Sequence, residues 1–179
     1  MITISIPTLE TERLTLRAPQ ADDFDNLAAF MASDRAAFIG GPVSGQRDVW
    51  RILSNLAGHW LLRGFGMWAI VPRDETAAIG VTGGWQPKTW PEREIGWSLW
   101  SVEAEGKGYA YEAATAARAH LYARMGWTTA VSYIDRGNSR SIALAERLGC
   151  TLDQTAERPQ DDDPTPCLVY RHPAPEALH

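Results

Sequence analysis

With 179 residues, 45% of them hydrophobic and eight of them tryptophan, the chain has the length and composition of one folded globular domain, expected to run over residues 1–179. Seventeen basic against 22 acidic residues, a net charge of −5, argue against nonspecific attraction to nucleic acid and lean toward a cationic partner. No apolar run has the length that a membrane span needs, and "MITISIPTLETERL" lacks a basic start followed by an apolar stretch and cleavage site, so the expected location is the cytoplasm.

In chain order, the alternation of Leu14 and Leu16 with Thr15 and Arg17 predicts a half-buried strand that Pro19 ends. The acidic "ADDFDNLAAFMAS" predicts a helix with Asp22 and Asp23 at its positive end and Phe24, Leu27, Ala28 and Met31 on one face. Val49, Ile52, Leu53, Leu56 and Trp60 keep the helical period from Gln46 to Leu62, and Gly64 stops it. Three strand-like pieces, "FGMWAIVPR", "TAAIGVTGGWQP" and "REIGWSLW", then read as an antiparallel meander.

From Gly108 to Met125 the spacing of Ala110, Ala113, Ala114, Ala117 and Leu121 predicts a helix capped by Gly126. "WTTAVSYID" resumes a strand, and "GNSRSIALAERLG" is a second helix with Asn138 at its N-cap. "CTLDQTAERP" and "TPCLVYRH" supply two last strands, joined by an acidic loop at Asp161, Asp162 and Asp163. The order implies an α/β fold, a mixed, mainly antiparallel sheet of about seven strands with helices on both faces.

The chemistry concentrates in "EGKGYAYEAA". Gly106 and Gly108 allow close backbone approach, and the helix behind them adds unpaired N–H groups and partial positive charge. An anion site results, with Lys107 an optional further charge, although a plain strand-to-helix connection has the same local sequence. The nucleotide-hydrolase loop is excluded because Tyr109 follows Gly108 where Lys is required. The dinucleotide fingerprint is disfavoured because Tyr111 stands where its third glycine belongs.

The segment resembles the pyrophosphate-binding turn of the GNAT N-acetyltransferase superfamily, whose pattern of Arg or Gln, two residues, Gly, one residue, Gly or Ala falls on Glu105, Gly108 and Ala110. Glu105 departs from it. "TERLTLR", "EIGWSLW" and "DRGNSRSIALAERLGC" resemble the branch containing the ribosomal-protein alanine N-acetyltransferases, so the likeness covers most of Thr11 to Cys150. The resemblance implies acetyl-coenzyme A as co-substrate, held at its pyrophosphate by amides of Gly106, Lys107, Gly108, Tyr109 and Ala110. Main-chain groups of Leu99 and Trp100 would meet the pantetheine arm, and Asn138 would contact the cofactor or simply cap its helix.

It also implies attack of a primary amine on the thioester, with Glu94 as base or, alternatively, as an ordinary strand-end charge. The tyrosine that many members use as acid, seven residues after the asparagine, is Ala145 here; Ser141 is the substitute expected, or an ordinary first-turn serine. The acceptor would be a protein N-terminus or a small-molecule amine, and a homodimer is common in the family. A non-catalytic coenzyme A binding module is the competing reading, kept open by Glu105 and Ala145. Trp85, Trp90, Trp97 and Trp100 read first as core and second as an acceptor pocket. His59, His120 and His172 are isolated and Cys150 and Cys167 lack paired spacing, so no metal is expected.

Overall fold

A computed structural model describes residues 5–159 and 167–178. Its strands are β1 (Leu9–Glu10), β2 (Leu14–Arg17), β3 (Met67–Pro72), β4 (Gly80–Trp85), β5 (Glu94–Leu99), β6 (Val131–Ile134), β7 (Thr151–Leu152) and β8 (Leu168–Arg171). Its helices are α1 (Phe24–Met31), α2 (Gln46–Arg63), α3 (Tyr109–Met125) and α4 (Ser139–Arg147). The strands form one sheet in the order β1-β2-β3-β4-β5-β6-β8-β7. All neighbours run antiparallel except β5 and β6.

The count is eight rather than about seven, because Leu9 and Glu10 pair with Leu16 and Thr15. Two residues carry no periodicity, so only the tertiary pairing makes them a strand. The acidic helix also begins differently. Ala21–Asp23 is a 3-10 turn ahead of α1, and Asp23 is buried, gripped by Arg17 at 2.6 and 2.9 Å while accepting the Gln20 N–H. The acidic loop at 161–163 lies outside the described residues.

Alternation along the strands divides the core. Leu14, Leu16, Trp68, Ile70 and Ile95 face α3, whose Ala113 and Ala117 bring the helix close to the sheet. Ala69, Val71 and Val81 face α1 and α2 across the other side. Leu16 is fully buried, and truncating such a residue to Ala costs about 2–5 kcal/mol. Among the described residues no helix is long and apolar enough to cross a membrane.

What positions the site is the mismatch between the two sides of β5. Toward β4 it is paired along its whole length, from Trp85↔Glu94 to Gly80↔Leu99. Toward β6 a single register pair, Glu94↔Val131, joins the two parallel strands. Just beyond it the Ser132 hydroxyl donates to the Ile95 carbonyl at 2.6 Å, and from there the strands part.

Candidate active site

The parted strands leave a cleft of about 980 Å³. Trp97, Ser98 and Leu99 of β5 form one wall, Gly106, Gly108, Tyr109 and Ala110 the turn before α3, and Gly137, Asn138 and Ser141 the start of α4. The 3-10 segment Asp34–Ile39, between α1 and α2, reaches its rim through Arg35, Phe38 and Ile39. Thus Leu99, Gly106, Gly108, Tyr109, Ala110, Asn138 and Ser141 come together as the sequence predicts. Lys107, Trp100 and Glu94 do not line the cleft.

The turn has the shape an anion needs. Gly106 and Gly108 sit at φ +74° and +80°, the left-handed region in which a side chain is strained, and Gly108 is the N-cap of α3 with no side chain capping the helix. The first amides of a 17-residue helix therefore meet the cleft without a competing side-chain acceptor. Arg13 fixes the turn from behind, donating to the Lys107 carbonyl at 2.9 Å and to the Glu112 carboxylate at 2.7 Å. Lys107 thus contributes its backbone to the turn's anchoring.

Just past the end of β5, Trp100 donates its N–H to the Ile79 carbonyl at 2.7 Å and is buried against α1 and α2. Its own carbonyl accepts from Arg35 Nη1 at 2.6 Å, and the Leu99 carbonyl accepts from Arg35 Nη2 at 3.0 Å. Since Ile95 turns its carbonyl toward β6 and Trp100 its N–H toward β4, strand alternation puts the main-chain groups of Trp97 and Leu99 on the cleft side.

Asn138 caps α4, its Oδ1 accepting the Ser141 N–H at 3.1 Å, and still lines the cleft. Capping occupies the carbonyl oxygen and leaves the amide NH₂ to donate. Trp97 Nε1 donates to Ser141 Oγ at 3.2 Å. A hydroxyl that accepts this bond keeps its own proton for a second partner. Ala145 is fully buried against Ala114, Ile134 and Leu148, where a tyrosine would have to displace packed side chains.

Glu94 lies at the closed end of β5. It accepts the Trp90 indole N–H at 2.7 Å and, more weakly, the Tyr133 N–H at 3.4 Å. No described cation pairs with it among the salt bridges. Burial pushes its carboxyl up from the usual carboxylate range to about 7, the two hydrogen bonds offsetting only part of that. A carboxyl raised in this way toward neutral pH has the basicity that suits a general base.

Several residues here were not identified from sequence. Trp90 and Trp97, read as core, hold Glu94 and Ser141 through their indole N–H groups. Arg35 and Arg140 both bind the Glu105 carboxylate, at distances down to 2.5 Å. Trp100 does belong to the interior, and Trp85 packs half-buried against the same cluster, its ring stacked on His59 with centroids 4.3 Å apart. His172 is buried between Arg118 and Ser132, and burial holds it neutral, down to about 3. Among the described residues no group of His, Cys, Asp or Glu is arranged to hold a metal ion.

The model of the acetyltransferase (GNAT) domain matches residues 13–151 of this chain. The chain is similar to the acetyltransferase of Agrobacterium tumefaciens str. C58, at 39% identity over 97% of this chain and 98% of that one, with a TM-score of 0.85. It shares its fold with a GNAT-family acetyltransferase of Bacillus anthracis (18% identity, 93% and 96% covered, TM-score 0.74). The same fold is found in RimL, a ribosomal L7/L12 alpha-N-protein acetyltransferase, in complex with coenzyme A (20% identity, 93% and 97% covered, TM-score 0.72). The parted β5 and β6, the glycine turn at the head of α3 and a family match over most of the chain agree that this protein belongs to the GNAT N-acetyltransferases.

Proposed function

We propose that the protein transfers an acetyl group from acetyl-coenzyme A to the α-amine of a peptide or protein N-terminus, with Glu94 as the base. The observation that carries the reading is the glycine turn at the head of α3, facing the edge of β5 that β6 leaves unpaired, with the Glu94 carboxyl, raised to about 7, at the closed end of that strand. The α-ammonium group of a peptide N-terminus has a pKa of roughly 8, so passing its proton to such a carboxylate is uphill by only about one unit. For a lysine-like amine near ~10.4 the same transfer is uphill by more than three units. RimL's activity on a protein α-amine supports the same choice.

The residues fit the co-substrate, whose thioester supplies the activated acetyl group. The turn from Gly106 to Ala110 would hold the pyrophosphate on its amides, and the cleft-side main chain of Trp97 and Leu99 would pair with the pantetheine arm. Asn138 would donate from its free NH₂. Glu94, directly or through a water, would take the proton of the incoming amine. A main-chain N–H of the unpaired β5 edge would face the acyl oxygen as charge develops there. Ser141, oriented by Trp97, would donate to the departing sulfur, in the role the family's tyrosine fills where Ala145 stands here. With a thiol pKa near ~8.5, the leaving group needs little further help.

The test is release of free thiol from acetyl-coenzyme A across a panel of N-terminal peptides, free amino acids, polyamines and lysine side-chain mimics. N-terminal peptides should react fastest near pH 7. Preference for lysine-like amines would contradict the α-amine assignment, and no release with any acceptor would contradict catalysis.

A further inference from the structure

The pyrophosphate turn opens with an acid, Glu105, beside the amides meant for an anion. The structure places two arginines on that acid, from elements far away in the chain. Arg35, on the 3-10 segment Asp34–Ile39, donates to Glu105 Oε1 through Nε at 2.9 Å and Nη2 at 2.5 Å. Arg140, in the first turn of α4, donates to Oε2 through Nη1 at 2.5 Å. The two positive charges outweigh the single negative one, so the mouth of the cleft is cationic despite Glu105.

The two arginines are not equivalent. Arg35 is largely committed: beyond Glu105 it also holds the Leu99 and Trp100 carbonyls, and its side chain is 24% exposed. Arg140 engages Glu105 through one nitrogen, and its side chain is 78% exposed. It spans from α4 to the turn, across the opening between Asn138 and Gly106 that a ligand must pass. A guanidinium has five N–H donors in a fixed fork suited to phosphate, and most of those on Arg140 are unspent.

We infer that Arg140 is a phosphate-binding residue of this cleft, held over the turn by Glu105, whose charge Arg35 neutralises. The inference rests on the reading above that the cleft takes acetyl-coenzyme A. Glu105 thereby acquires a purpose: it does not touch the ligand but orients the arginine that does, replacing a basic side chain within the turn by one delivered from α4. The chemistry recognised is a phosphate oxygen, from either the diphosphate or the 3′-phosphate of the ligand.

Binding of coenzyme A, 3′-dephospho-coenzyme A and pantetheine to the full chain is measured by calorimetry for wild type, R140A and R140K. R140A should weaken coenzyme A about tenfold and leave pantetheine unchanged, and R140K should recover part of the loss. A loss shared by dephospho-coenzyme A assigns the contact to the diphosphate; a loss confined to coenzyme A assigns it to the 3′-phosphate. Because Arg140 is exposed, the variant should keep the wild-type melting temperature. Equal coenzyme A binding by wild type and R140A would overturn the inference, as would an equal loss for pantetheine. Failure of the wild type itself to bind coenzyme A would instead sink the functional reading on which the inference stands.

Discussion

The two ends of β5 hold carboxylates in opposite circumstances. Glu94, where β5 still pairs with β6, is half-buried beside an indole and a backbone amide with no salt bridge to a described cation, and its carboxyl is pushed up to about 7. Glu105, just past the open end, lies between two guanidinium groups, most of its charge compensated by Arg35 and Arg140. Desolvation without a counter-ion makes a carboxylate basic enough to take a proton, whereas flanking cations turn one into scaffolding. On the proposed reading, the same residue type would serve proton transfer at the closed end of the cleft and charge placement at its mouth.

The largest effect is expected at the mouth of the cleft. G108V puts a β-branched residue at φ +80°, straining the turn and moving the amides the pyrophosphate needs; coenzyme A binding should fall by about 100-fold or more in a calorimetric titration. Circular dichroism should show the fold retained, and undiminished binding would contradict the cradle. At the closed end, E94Q removes the base while keeping an acceptor for Trp90, and kcat should fall by about 10²-fold or more with cofactor affinity preserved. A fall in affinity with kcat intact would place Glu94 outside the proton transfer.

Smaller effects are expected at Ser141, Trp97 and Trp90. S141A should lower kcat by up to about tenfold, because a thiolate tolerates departure without a strong donor. W97F, which removes the indole N–H that orients Ser141, should reproduce part of that loss in wild type and add nothing to S141A. Full additivity in this double-mutant cycle would mean that Trp97 acts by packing alone. The smallest change is W90F: losing the donor that favours the ionised Glu94 should move the acid limb of the rate profile upward, by at most about one pH unit.

Much of the fold was legible because it is local. Leu14 and Leu16 alternate as a half-buried strand must, the alanines of α3 recur at helical spacing, and Asn138 caps where a cap was expected. The glycine turn was visible for the same reason: its backbone requirement is written in two neighbouring residues. β1 was not, since two residues become a strand only when β2 lies beside them.

The site was legible at its turn and much less so in its side-chain partners. Arg35 and Arg140 meet Glu105 from 70 and 35 residues away, and nothing in "SDRAAF" or "GNSRS" announces a shared acid. Trp90 and Trp97 look like core tryptophans because the indole ring is apolar; which single N–H finds Glu94 or Ser141 depends on packing. Glu94 was a candidate by its position on the strand, but the burial that makes it basic appears only once Trp90 and Tyr133 close around it.

The most direct test of the account is the pH dependence of kcat/KM for acetyl transfer in wild type and E94Q. Glu94 acts when deprotonated, so the wild-type rate should rise with pH through a limb near 7 and level off above it. In E94Q that limb should vanish and the residual rate follow only the ionisation of the acceptor amine. The folded-state carboxyl is raised above its unfolded value, so its ionisation lowers stability as pH rises from about 4.5 to about 7, and E94Q should remove that slope as well. A wild-type limb that E94Q retains unchanged, with the rate undiminished, would contradict the assignment of Glu94 as the base.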